Sequence, residues 1–235
     1  IAVAFDLKGK LKRKELFEGY KANRHGMPDE LAEQMPVIKD VLRAMNIDII
    51  EKEGYEGDDI LGTLAKYGEK QGLEVTILSG DRDTFQLASD NITIRIPRTK
   101  AGKTETENYN RAKVLEEYGL EPVQLIEVKA LQGDTSDNIP GVKGVGEKTA
   151  ISLLEKFGTL DAIYANLDQV ENRWKGKFEA SRESAYMSYK LALIELNLKI
   201  DLNLDHAAVK PFDPTLLEAF FKEMEFKTLL SKVPA

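Results

Sequence analysis

The stretch from Leu131 to Ala150, LQGDTSDNIPGVKGVGEKTA, leaves the backbone few ways to run. Pro140 ends whatever helix comes before it, and Gly141, Gly144 and Gly146 allow tight turns and close approach of another molecule to the main chain. A helix is expected to begin near Glu147. Its first amide N–H groups have no intrahelical partner and carry the positive end of the helix dipole, to which Lys143 and Lys148 add charge. A hairpin of this kind suits phosphate. Just before it, Asp134 and Asp137 are three residues apart, so on a helical turn both point to one side and could hold a hard cation through oxygen.

The spacing of Gly144, Gly146 and Ala150 follows G-x-G-x-x-x-A and resembles the helix-hairpin-helix element, which grips a DNA backbone without reading its bases. A glycine turn between helices is also a common structural device, so the rest of the chain must decide. At 235 residues the chain can bury a full core, as one large domain or two small ones. No apolar run approaches the length needed to cross a bilayer. With no cysteine and two histidines, His25 and His206, a thiolate site or a typical zinc centre is excluded. Any metal site is therefore carboxylate, which selects Mg²⁺ or Mn²⁺. A net charge of −7 argues against coating nucleic acid over the whole surface, yet leaves room for a local basic site.

The chain opens on IAVAF (1–5), a short apolar run that suits a buried parallel strand, with Asp6 at its carboxyl end, the usual ligand edge of an α/β sheet. It has no initiator methionine and no signal-peptide pattern, and a fragment is expected. FDLKGKL resembles the D-x-D-G-T phosphatase motif only loosely, because Lys8 stands where a second aspartate belongs. From Lys8 to Arg24 seven basic residues face two acidic ones, with Phe17 and Tyr20 interleaved, a basic patch that the net charge hides. Asp29 to Met45 has the spacing of a core-facing helix.

Ile47 to Ile50 reads as a second strand, followed by Glu56, Asp58 and Asp59 at the start of a helix. Leu73 to Leu78 reads as a third, with Asp81 and Asp83 just beyond its carboxyl end, and Ile92 to Ile96 as a fourth. Residues 100–108 read as a polar turn or ribbon. After Asn110 the pattern becomes helical, including a helix from Glu147 to Phe157 that stops at Gly158. Arg173, Lys175, Lys177 and Arg182 lie on a helical surface where basic side chains could touch phosphates but are usually only solvated.

Asp6, the Glu56/Asp58/Asp59 group, Asp81/Asp83 and Asp134/Asp137 need a common explanation. Eight carboxyl groups gathered in one crevice would repel unless divalent cations neutralised them. Two Mg²⁺ about 4 Å apart would do so, activating a water and stabilising the leaving oxygen of a phosphodiester.

In order, FDLKGK…RKELFEGYKANR, GYEGDDILGTLAK, SGDRDTFQLAS and LQGDTSDNIPGVKGVGEKTAISLLEKFG closely resemble the 5′ nuclease domain of bacterial DNA polymerase I, part of the flap endonuclease superfamily. The resemblance covers nearly the whole chain. It implies an α/β, PIN-like 5′ nuclease fold with a parallel twisted sheet, an acidic crevice and a helical arch, followed by a helix-three-turn-helix region. Residues 1–121 would form the nuclease core with the arch segment, and 122–235 the helical DNA-binding region. The implied activity is metal-dependent cleavage of DNA at 5′ ends and at 5′ flaps, in replication and repair.

By matching motif, the resemblance assigns Asp6, Glu56 and Asp58 to a first metal and Asp81, Asp83 and Asp137 to a second, with Asp59 and Asp134 reaching the metals indirectly. YKANR matches the arch, so Lys21 and Arg24 would meet the scissile phosphate, Tyr20 would stack on a base and Arg13 would touch DNA. Lys12 and Lys14 replace the aromatic and histidine of the family's arch pattern, which shifts weight from stacking to charge. At the hairpin, DNA contacts would come from Gly141, Lys143, Gly144, Gly146, Lys148 and Thr149, with a monovalent cation there as well. The cofactors implied are two divalent ions, Mg²⁺ with Mn²⁺ as an alternative. The partners are 5′-flap or 5′-end DNA and a polymerase domain in the same polypeptide. A monomer in the bacterial cytoplasm, associated with the nucleoid and not with membrane, is expected. Family members begin with one more strand, whose aspartate is a first-metal ligand, so an N-terminally truncated and impaired nuclease is also expected. The alternative reading is a DNA-binding module without chemistry, since the hairpin can work without the acids.

Overall fold

The computed structural model describes residues 1–100, 102–201 and 203–233, and of Lys100 and Lys103 the backbone alone. In chain order the elements are β1 (Ala2–Phe5), α1 (Arg13–Leu16), α2 (Asp29–Ala32), α3 (Gln34–Ala44), β2 (Asp48–Glu51), α4 (Gly57–Lys70), β3 (Val75–Leu78), β4 (Ile92–Lys100) and β5 (Lys103–Tyr109). Then come α5 (Arg111–Tyr118), α6 (Gln124–Gln132), α7 (Glu147–Phe157), α8 (Leu160–Ala165), α9 (Asn172–Ala180), α10 (Arg182–Ala192), α11 (Leu204–Ala207), α12 (Pro214–Glu223) and α13 (Lys227–Leu230). The chain divides into two compact units, Ile1–Lys8 with His25–Gly57 and Lys199–Ala235, and Gly9–Arg24 with Asp58–Leu198.

In the first unit β1 and β2 pair in parallel, Val3 opposite Ile49. The single helix expected over Asp29 to Met45 is two, α2 and α3. Pro36 sits in the first turn of α3, where its missing N–H would have found no helical partner in any case. The ammonium of Lys39 on α3 bonds Glu51 at 2.5 Å and lies 5.2 Å from the Phe5 ring centroid, tying that helix to both strands. Leu217 and Phe221 on α12 are this unit's most buried side chains among the described residues.

The second unit holds a three-stranded sheet in the order β3-β4-β5. β3 and β4 are parallel, with Ile77 opposite Ile94, whereas β4 and β5 are antiparallel, with Ile96 opposite Glu107. The sheet is thus mixed. The stretch expected as a polar turn or ribbon is the return strand of a hairpin, and Ala101 lies outside the described residues. Ile92, Ile94 and Ile96 alternate inward on β4 and are buried with Phe85 and Tyr109, whose rings stack at 4.2 Å. Pro97 comes after Arg95, the last residue paired with β3, so its missing N–H costs no bond to that strand.

A second core in this unit is helical. It gathers Leu131 from α6, Val142 and Val145 from the following loop, Ala150 and Leu154 from α7, and Phe178 from α9. Tyr118 and Leu125 pack against both cores. After α10 the chain runs extended along α4. A side chain at Gly62 would meet Ile194 at 2.7 Å, so glycine there lets this strap lie against the helix.

Candidate metal centre and nucleic-acid interface

Two glycines shape the loop that carries Asp134 and Asp137. Gly133 ends α6 at φ +76°, and Gly141 follows at φ +62°, both in the left-handed region that favours glycine. A Cβ on Gly141 would lie 2.3 Å from the Gly133 nitrogen, so the two main chains touch where side chains would have kept them apart. Between them Asp134 and Ile139 exchange two backbone hydrogen bonds of 2.8 Å, closing the loop. The Asp134 carboxylate accepts from the Ser136 amide at 2.7 Å and its hydroxyl at 2.6 Å, which fixes its direction. On the other side Gly141 donates its N–H to Ser188 Oγ, and Ser184 Oγ donates to the Gly141 carbonyl, anchoring the turn on α10.

Asp83, Asp134 and Asp137 converge, each offering a carboxylate oxygen within 4.8 Å of the others. Three carboxylates so close are unfavourable unless positive charge lies among them. Lys129, on α6 one turn before the loop, supplies part of it, donating to Asp83 and lying 2.7 Å from Asp134. Asp137 is 6% exposed and is paired with Arg24 and, at 3.7 Å, with Lys21. Burial pushes the Asp83 carboxyl above its ordinary value, and Lys129 offsets that only in part. Burial also raises Asp134, but hydrogen bonds from Lys129 and Ser136 outweigh it and hold the group at about 2. Burial works against the Lys129 ammonium, but the two carboxylates prevail and raise its pKa.

The YKANR segment is docked onto this loop. Lys21 N–H donates to the Asp137 carbonyl at 2.8 Å, Asn23 to the Thr135 carbonyl at 2.6 Å, and Asn138 back to the Gly19 carbonyl at 2.6 Å. Lys21 itself has φ +55°, a strained value for a lysine, and its ammonium is 5.1 Å from the Tyr20 ring centroid. The Tyr20 ring is enclosed, packed with Ile139 and Leu191.

The remaining acids divide between the units. Asp6 and Glu56 belong to the first, where Asp6 accepts from the Gly57 N–H at the start of α4. Asp58, Asp59 and Asp81 belong to the second. Asp81 caps the 3₁₀ turn over Arg82–Leu87, accepting from the Asp83 N–H at 2.9 Å. Asp59 is fully buried and faces Arg13, whose guanidinium also donates to the Leu191 and Leu193 carbonyls. Sequence reasoning missed Lys129. Its signal was a lone lysine among Val128, Ala130 and Leu131, five residues before Asp134.

At the hairpin, Val142 and Val145 are buried anchors, while Lys143, Gly144, Gly146 and Lys148 face outward and Thr149 is half-buried. Gly146 caps α7, and a side chain there would meet open space. The main chain is thus accessible where the α7 amides begin.

Residues 1–119 match the family model for the 5′-3′ exonuclease N-terminal resolvase-like domain, and residues 120–215 that for the 5′-3′ exonuclease C-terminal SAM fold. The chain belongs to the 5′-3′ exonuclease family. This exonuclease-family chain is 42% identical to a DNA polymerase I of Caldicellulosiruptor bescii over 99% of its own length and 27% of the relative's. Its identity to DNA polymerase I of Bacillus subtilis is 44%, over 98% and 26%. The chain therefore spans about a quarter of the length of these relatives. It also resembles the crystal structure of a bacteriophage T5 flap endonuclease in a pseudo-enzyme-product complex with DNA and metal ions. The TM-score is 0.65 at 26% identity, covering 96% of this chain and 82% of that one. The family is one of nucleases, and its α/β domain plus helical domain agree with the expected fold class. Among the described residues no helix is long and apolar enough to cross a membrane.

Proposed function

We propose that this chain hydrolyses DNA phosphodiesters at 5′ ends and 5′ flaps with the help of two divalent metal ions, Mg²⁺ first among them. The observation that carries the reading is the convergence of Asp83, Asp134 and Asp137 beside Lys21 and Arg24. Oxygen-only donors suit a hard cation, and the ammonium between Asp83 and Asp134 marks a place where positive charge is favoured. Asp81, Asp83 and Asp137 are proposed for one ion, with Asp134 beside it and reaching it indirectly, and Asp6 and Glu56 of the first unit for the other. When bound, the metals supply an activated water and neutralise charge on the leaving oxygen.

The protein's own side chains do the rest. Lys21 and Arg24 are held beside Asp137 by the docked arch segment, and there they orient the scissile phosphate. Asp59 serves indirectly, by fixing Arg13 and the end of α10. Lys143, Lys148 and Thr149, with the open main chain at Gly144 and Gly146, hold the duplex by its backbone, and a monovalent cation at this turn is part of the same proposal. The boundary between nuclease core and DNA-binding region is placed after residue 121. The relatives' name supports a polymerase domain in the same polypeptide, and a cytoplasmic, nucleoid-associated monomer is the setting proposed.

The test is Asp83→Asn, assayed on a 5′-flap duplex in Mg²⁺. Cleavage should be lost while flap binding persists, because the carboxylate acts in the transition state and phosphate contacts lie elsewhere. Near-normal turnover by the variant would remove Asp83 from the site. Binding without chelator-sensitive cleavage by the unmodified chain would favour a binding module instead.

A further inference from the structure

Between the first two turns of α7 and the start of α9 lies a cleft of about 220 Å³, whose α9 wall has no role in the assignments above. Lys148, Thr149 and Ser152 line it from α7, and Arg173 and Trp174 from α9. Two cations flank the indole, Lys177 Nζ 4.4 Å and Arg173 Cζ 5.2 Å from the ring. Lys177 also reaches the hairpin, since a Cβ on Gly144 would be 3.2 Å from its ammonium. Lys177 thus lies between the indole on the cleft wall and the hairpin turn.

We infer that this cleft is a second phosphate-contact site, which receives the DNA backbone next to the stretch held at the hairpin. The inference rests on the proposed DNA binding by that hairpin. Charge complementarity argues for a phosphodiester. Lys148 and Arg173 line the cleft, Lys177 lies 4.4 Å from the ring of Trp174 on its wall, and among the described residues Glu171 is the one acid lining it. Glu171 pairs with Arg173 at 2.7 Å, but both side chains are 69% exposed, and so exposed a pair yields readily to a phosphate. Trp174 is a positioning residue. Its ring is already engaged by two cations, so it holds them toward the cleft rather than offering a face to a base.

The single tryptophan of the chain makes the test direct. Emission of Trp174 is followed as duplex DNA is added to the 235-residue protein in chelator, and affinity is measured by anisotropy at several salt concentrations. The emission should change on binding. Arg173→Ala with Lys177→Ala should weaken duplex binding about tenfold at low salt and make the slope of log K against log salt shallower by up to about two units. Trp174→Ala should lower affinity with little change in slope, and thermal melting should show all variants folded. Lys143→Ala with Gly146→Ala, two hairpin changes off the cleft wall, separates the two readings. If only this hairpin pair loses affinity, while the Arg173/Lys177 pair binds normally with an unchanged slope, the cleft carries no phosphate and the hairpin reading stands. If neither pair changes, the hairpin reading fails too. Emission changed by single-stranded but not duplex DNA would overturn the backbone assignment.

Discussion

Asp59 and Arg13 face each other fork to fork, two guanidinium nitrogens each 2.6 Å from the two carboxylate oxygens, with the carboxylate fully buried. The same carboxylate accepts the Glu195 N–H at 2.9 Å, and the same guanidinium holds the carbonyls of Leu191 and Leu193. One ion pair thus joins α1, α4 and the strap after α10. A buried charge that loses its partner is left uncompensated, so Arg13→Met should cost about 3 to 5 kcal/mol. Asp59→Asn should cost a similar amount. Urea unfolding in chelator measures both. A variant of normal stability with lost Mn²⁺ binding would instead make Asp59 a direct metal ligand.

Lys129 neutralises the same carboxylates that a metal would use. Lys129→Met should therefore lower the melting temperature in chelator, because Asp83 and Asp134 lose their counter-ion. It should also tighten Mn²⁺ binding by on the order of tenfold, since one competing charge is gone. Calorimetric titration with Mn²⁺ reads the second effect. An unchanged affinity would mean that the ammonium leaves the metal position alone.

Asp134 predicts a pH dependence for the metal-free protein. Its carboxyl lies at about 2 against an ordinary 3.8, burial being outweighed by Lys129 and Ser136. Protons then prefer the unfolded chain. The stabilisation, roughly 2 kcal/mol, is fully present above the ordinary value and is lost as pH falls through the folded one. Asp134→Asn should be the less stable protein at pH 6, and the gap should shrink to about 0.4 kcal/mol by pH 2. Asp83, raised by burial, acts with the opposite sign, and Asp134→Asn removes one of the charges that raise it, so its contribution shrinks in the variant. A gap that keeps its full pH 6 size at pH 2 would show that the lost stability has another source.

Gly141 and Gly146 should separate folding from binding. Gly141→Ala forces a side chain into the Gly133 main chain at a left-handed φ, and should cost at least about 2 kcal/mol. Gly146→Ala meets open space and ordinary φ, so melting should be unaffected while duplex affinity falls. If Gly146→Ala binds duplex normally, DNA does not approach that part of the main chain.

Lys21→Ala and Arg24→Ala should lower kcat more than affinity for a 5′-flap substrate, because both groups are held against Asp137 and not spread along a binding surface. Single-turnover cleavage with a separate binding assay distinguishes the two. A change in KM alone would make the segment a docking surface.

Local pattern by itself determined where β1 to β3 lie and where β4 begins, that α7 starts at Glu147 and stops at Gly158, and that Asp134 and Asp137 precede a glycine hairpin. Those features depend on spacing, on punctuation by proline and glycine, and on apolar runs, all of which act between residues close in the chain. The return strand β5 was missed because KTETENY is polar and its pairing with β4 is settled by the partner strand, not by its own alternation.

The partners of the charges were decided by tertiary structure alone. Sequence can propose that Asp59 and Arg13 belong to a nuclease site, but not that they face each other across 46 residues. Nor can it set Lys129 between Asp83 and Asp134, or enclose the Tyr20 ring. A carboxylate looks the same in one-letter code whether it meets a metal, a guanidinium or an amide. Which of these it meets depends on long-range packing of elements that carry no mark of one another in their own residues.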